Sequence, residues 1–156
     1  MGITLFEMKT LKQQLLGACQ NYVVERERTV NQTISSHQKA LSSETKSSAG
    51  DKHETGRAML QLEMEKAGQQ LTAIDQMKSV LAKIKLKDKH THVKLGSLVT
   101  TDQNNYFLAI SSGEILIENQ KYYAISSASP IGQLLLGKKV GDEIVFNKSM
   151  VILEVF

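Results

Sequence analysis

Ser129-Pro130-Ile131-Gly132-Gln133-Leu134-Leu135-Leu136-Gly137-Lys138-Lys139-Val140-Gly141-Asp142-Glu143 is the stretch on which the reading of this chain turns. Serine is a favoured helix N-cap, because its hydroxyl accepts a bond from a backbone N–H left over in the first turn. Proline suits the first helical position, where its fixed φ is already helical and its missing N–H is not needed. A glycine just past the last apolar residue permits the left-handed backbone that ends many helices. The spacing therefore predicts one short helix over 130–136, capped by Ser129 and stopped by Gly137.

Outward from this helix the period changes to that of strands. Runs rich in β-branched and aromatic residues occupy 93–101, 105–110, 114–118, 121–126, 143–146 and 150–155. Turn formers separate them, among them Asp102-Gln103-Asn104, Ser111-Ser112-Gly113, Asn119-Gln120 and Asn147-Lys148-Ser149. Strands this short and this close in sequence favour an antiparallel sheet joined by hairpins. The basic joint 83–92 (KIKLKDKHTH) precedes them. The expected organisation is a first domain over 1–87 and a small β-rich domain with one helix over 88–156.

The first domain reads as two helices. From Lys9 to about Ser43 there is no Pro, and Met8, Leu11, Leu15, Ala18 and Tyr22 fall at alternating steps of three and four. This seam fades across Glu25-Arg26-Glu27-Arg28 and resumes one position out of phase at Val30, Ile34, His37 and Leu41. A second stripe runs through Leu60, Met64, Ala67, Leu71, Ile74 and Leu81, with Met77 beside Lys78. Between them 42–50 is rich in turn formers and holds no large apolar residue. Two helices joined so briefly are antiparallel neighbours, a coiled-coil hairpin reaching roughly 45–50 Å with its tip near 44–54. A larger bundle or a dimeric coiled coil would use the same stripes. The fold class is thus α+β.

Composition sets outer limits. The chain has 156 residues, 41% hydrophobic and 22% charged, as a folded chain does. Its formal charge of +3 is too small by itself to argue for nucleic-acid binding. A lone cysteine, Cys19, points to a reducing compartment and, on its helix seam, to a buried small residue. No run is long and apolar enough for a membrane span and no signal peptide is evident, so a cytoplasmic location is expected. His90 and His92 lack the further Cys or His that a zinc set needs and read as solvated joint residues.

Two stretches carry a resemblance to the Gre family of bacterial transcription elongation factors. The segment Ile125-Ser126-Ser127-Ala128 and onward through Ser129-Pro130-Ile131-Gly132 to Gly141-Asp142-Glu143 resembles the helix and Gly-Asp turn of the family's C-terminal domain. Gly50-Asp51-Lys52-His53-Glu54 resembles the G-D-x-x-E sequence at the family's hairpin tip. The resemblance implies a long helical hairpin ahead of an FKBP-like domain, in the same order. Where cleavage-stimulating members continue Asn-Ala-Glu-Tyr, this chain has Thr55-Gly56-Arg57-Ala58, without the second acid and the tyrosine.

From the resemblance follows an expected function. The hairpin would enter the secondary channel of bacterial RNA polymerase and stimulate cleavage of backtracked transcripts, close to the nascent RNA 3′ end. Asp51 and Glu54 would share Mg²⁺ with the polymerase and orient a water, so the chain is not an enzyme by itself and needs no cofactor of its own. Ser129, Pro130, Ile131 and Gly132 would meet the channel rim. Each expectation has a plainer counterpart. Asp51 and Glu54 also fit an aspartate variant of the capping box, and Ile131 with Leu134-Leu135-Leu136 could simply pack the helix on the sheet. The alternatives in function are a channel regulator that does not cleave, a structural coiled coil, or a prolyl isomerase built on the FKBP-like domain.

Overall fold

A computed structural model describes residues 4–46, 51–87 and 89–156, with the side chains of 44–46 and 51–54 outside the description. The first helix, α1, spans Leu5–Lys46 and the second, α2, spans Asp51–Ala82. α1 starts a turn earlier than its apolar stripe suggests, and a reciprocal cap explains this. Glu7 N–H donates to Thr4 Oγ1 at 3.1 Å, and Thr4 N–H donates to Glu7 Oε2 at 3.2 Å. Thr4-x-x-Glu7 is thus a capping box in front of the helix.

The chain divides into two compact units, one of Met1–Tyr22 with Ser79–Phe156 and one of Val23–Lys78. In the second unit the two helices bury Val23, Val30, Ala67 and Ile74. Lys78 Nζ and Glu27 Oε2, 2.5 Å apart, tie one helix to the other. Along α1 the covered positions are 8, 12, 15, 19, 23, 27 and 30. Three consecutive steps of four replace the heptad's alternation, which is the slip expected across the Glu-Arg run. The slip begins earlier than the sequence pattern indicates. Lys12, Cys19 and Val23 are buried, whereas Leu11, Ala18 and Tyr22 are half-buried.

In the first unit the strands are β1 (Leu98–Thr101), β2 (Asn105–Ala109), β3 (Gly113–Ile117), β4 (Gln120–Ser126), β5 (Glu143–Phe146) and β6 (Lys148–Val155), with α3 (Pro130–Leu135) between β4 and β5. Their order in the sheet is β3-β4-β2-β1-β6-β5. Four pairings are antiparallel, but β2 and β4 run parallel, so the sheet is mixed rather than a succession of hairpins. Burial explains the exception. Tyr106, Phe107, Leu108 and Ala109 of β2 are all buried, so this strand needs neighbours on both edges. β3 exposes Glu114 and Leu116 and suits the sheet edge, whereas β4 buries Tyr122, Ala124 and Ile125. β3 therefore takes the outside place and turns back through Glu118 and Asn119 (φ 49° and 65°), leaving β4 beside β2.

One core lies under α3, where Ile131 and Leu135 meet Val99, Leu108, Ile144 and Ile152. β1 begins later than expected. Residues 93–97 form an irregular segment before it, with Val93 N–H donating to Lys138 O at 2.8 Å and Gly137 N–H to Val93 O at 2.8 Å.

Candidate functional site

The tip carboxylates Asp51 and Glu54 stand in the first turn of α2. Their side chains lie outside the described residues, and 47–50 lie outside them altogether. Among the described residues no group of three His, Cys, Asp or Glu could hold a metal ion.

The second nominated site is built from the backbone outward. Ser129 is the N-cap of α3, with φ −69° and ψ 158°, and its Oγ accepts the Gly132 N–H at 3.1 Å. The same hydroxyl donates to Ser126 O at 2.6 Å, and Ser129 N–H donates to that oxygen at 3.0 Å. Ser126 Oγ in turn accepts the Ala128 N–H at 3.1 Å. Gly132 is required by close approach, since a Cβ there would stand 2.0 Å from Ser126 O. Leu136 N–H donates to Gly132 O at 3.0 Å, and Gly137 at φ 79° turns the chain away.

The Gly-Asp turn follows the same logic. Asp142 Oδ2 accepts the Lys139 N–H at 2.9 Å, and Oδ1 lies 3.3 Å from Lys139 Nζ. Those bonds, the backbone one first, hold the Asp142 carboxyl below the usual carboxylate range. Gly141, at φ 92°, donates its N–H to Ile152 O at 2.8 Å and fastens the turn to β6.

These four residues therefore divide by role. Ser129 and Gly132 shape the loop, Ile131 is 7% exposed and belongs to the core, and Pro130 is exposed. Of the three leucines only Leu135 is buried against the sheet; Leu134 and Leu136 are 38% and 41% exposed. The surface offered at this end is Ala128, Pro130, Gln133 and Leu134. Sequence reasoning missed Leu134, yet the signal was available: a helix stripe seats Ile131 and Leu135, four apart, and turns Gln133 and Leu134 outward.

One joint residue also departs from expectation. His90 is not solvated but buried, its Nδ1 2.5 Å from Ser97 Oγ, which also accepts the Lys94 N–H at 2.9 Å. His92 is exposed, as read. Lys12 is only 2% exposed, and no hydrogen bond or ion pair to it is found among the described residues. Burial, and then the nearby charge of Lys94, lower its pKa to about 8. Cys19 is buried as expected, and burial pushes its thiol up. No described helix is long and apolar enough to cross a membrane.

Comparison with known proteins bears on the part of the chain just described. Residues 88–155 match the family described as transcription elongation factor, GreA/GreB, C-terminal. A solved structure described as that of the transcription factor Gfh1 aligns with 95% of this chain and 92% of its own, at 16% identity and a TM-score of 0.34. No curated protein sequence matches. The likeness to the C-terminal domain of the GreA/GreB transcription elongation factors thus lies in residues 88–155, the part that holds the sheet and α3.

Proposed function

We propose that the chain is a secondary-channel factor of bacterial RNA polymerase that stimulates cleavage of backtracked transcripts. The observation that carries this reading is a domain like the GreA/GreB C-terminal one placed directly after two paired helices whose connection holds Gly50-Asp51-Lys52-His53-Glu54. In this reading the hairpin tip reaches the nascent RNA 3′ end. Asp51 and Glu54, three apart on one helix face, present two carboxylates where the polymerase supplies the remaining ligands and the RNA. Mg²⁺ held there supplies Lewis-acid stabilisation of the phosphodiester under attack. Asp51 takes the coordinating part and Glu54 orients the attacking water.

The C-terminal domain rests on the channel rim through the loop that Ser129 and Gly132 hold in place. Pro130 makes the direct contact there, with Leu134 beside it, and Ile131 supports the loop from the core.

A specific observation favours a second reading, a channel factor that does not cleave. Between residues 44 and 57 three acids are matched by Lys46, Lys52 and Arg57, and the second acid and tyrosine of cleaving members are absent. A tip of balanced charge attracts a divalent cation less than an acidic one.

A stalled, backtracked elongation complex with Mg²⁺ separates the two. Release of short 3′ RNA fragments that vanishes with Asp51→Ala/Glu54→Ala is the expected result. Binding without fragments, in competition with another channel ligand, favours the non-cleaving factor. Absence of binding to polymerase sinks both readings.

A further inference from the structure

We infer that the C-terminal unit carries a second docking place, a cleft at the open end of β6 that takes an extended acidic peptide by strand addition. The starting observation is a mismatch of strand lengths. β6 has eight residues and its outer neighbour β5 has four. The last bonds on that side join Ile152 to Gly141 and Asp142, at 2.8 and 2.9 Å. Beyond Ile152 the chain at Lys139 and Val140 turns aside, and among the described residues no strand continues the sheet there.

The ladder on the other side fixes which backbone groups are left. Leu98 and Phe156 exchange both bonds, N–H to O at 3.0 and 2.9 Å. Val99 opposite Val155 is therefore the non-bonded kind of antiparallel pair, in which N–H and C=O point away from the partner strand. The Val155 side chain is in the core, yet Val155 lines a cleft of about 540 Å³ on the outer side. Its backbone is what faces that space. A bulge at Leu153, where Thr100 pairs with Glu154 and Thr101 with Ile152, turns the Leu153 side chain out to 49% exposure.

The walls select the occupant. Val140, 55% exposed, Leu153 and Phe156 give apolar seats. Lys89, His92 and Lys139 stand around them, with Lys89 Nζ 5.8 Å from the centre of the Phe156 ring. Among the described lining residues the only acidic side chain is Glu154. The net positive charge of the chain lies in the unit that holds this cleft, and Lys89 and Lys139 are its lysines on the cleft wall. Val23–Lys78 holds eight cationic and eight acidic side chains, whereas the other unit holds eleven and eight, five of the lysines within 83–94. An exposed strand end with alternating apolar seats and a cationic rim is the arrangement that binds extended peptides by main-chain pairing, with acidic side chains on the lysines.

This inference does not depend on the polymerase reading, because it is tested on the full chain alone. The probe is a labelled, blocked peptide of alternating Glu and Val, seven residues long, followed by fluorescence anisotropy and amide exchange. The expected result is saturable binding that weakens with salt, with slowed exchange at the Val155 amide. Lys89→Gln/Lys139→Gln should weaken it at least tenfold. The same peptide N-methylated on alternate residues should not bind, which keeps the test decisive even where the double variant fails to fold. Equal binding of the N-methylated peptide, equal binding of a Lys-Val counterpart, or an unchanged Val155 amide would each overturn the inference. So would tighter binding of oligo-dT than of the acidic peptide.

Discussion

Residues 129–142 and the paired helices of 23–78 meet opposite kinds of demand. In the turn–helix–turn, each residue type answers one backbone requirement at one place. Ser129 supplies the cap, Gly132 the space beside Ser126 O, Gly137 and Gly141 the positive φ, and Asp142 the bond to Lys139 N–H. In the helical pair the demand is periodic, and any residue of suitable size at the right step satisfies it. Val23, Val30, Ala67 and Ile74 share nothing but their spacing and burial. A local motif can therefore dictate a particular loop from a few residues, while a seam of the same length dictates only a helix.

The sharpest way to break this contrast is Gly132→Ala. The added Cβ would meet a backbone oxygen at 2.0 Å, which no side-chain adjustment can relieve. A loss of about 3 kcal/mol or more is expected, seen as a fall in the thermal midpoint of roughly 10 °C or more. A midpoint within a degree or two of the parent would mean that the loop is not held as described. Ser129→Ala is the milder version. It removes the Oγ that joins Ser126 O to Gly132 N–H and should cost about 1 kcal/mol, with Ser129→Thr restoring most of it.

Lys12 tests the other side, a position where the helix was read rightly but the phase of its seam was not. Sequence pattern put Leu11 in the seam and Lys12 outside it; the structure buries Lys12 and half-buries Leu11. With its pKa lowered to about 8 from 10.5, the folded chain releases this proton before the unfolded chain does. The unfolded state thus binds more protons between those values, so stability rises with pH from about 8 to 10.5, and the full penalty applies below 8. Lys12→Met should stabilise the protein at pH 7 by on the order of 1 kcal/mol, after allowance for solvent screening. The gain should shrink toward pH 10.5, as followed by denaturant unfolding at several pH values. A gain independent of pH would assign the effect to packing alone.

What was legible in the sequence follows from the same division. Ser129, Pro130 and Gly137 announced α3 within a residue because caps are local, and five of the six strands could be placed to within about two residues by turn formers beside them. The start of β1 was misplaced because Val93 and Leu95 are apolar for a different reason, an irregular segment stapled to Gly137 and Lys138. The parallel β2–β4 pairing was hidden, since strand order depends on which strands are buried on both faces and no short window reports that. His90 was misread for a similar cause: its partner Ser97 is seven residues away across a turn. At the candidate site the motif pointed to the right loop but not to the exposed residues in it, because exposure of Pro130 and Leu134 is settled by how α3 lies on the sheet.

The smallest effect is also the most direct comparison. Gly68 lies within α2 and is exposed, and a Cβ there would meet nothing within 4 Å. Gly68→Ala should therefore stabilise the protein, by about 0.8 kcal/mol, through helix propensity alone. The same chemical change that breaks the turn at Gly132 strengthens the helix at Gly68, so its sign depends on whether the backbone or only the period fixes the residue. Parallel thermal unfolding of the two variants reads that sign. A destabilised Gly68→Ala would mean that a partner closes on this helix face, and that α2 is constrained there by more than its period.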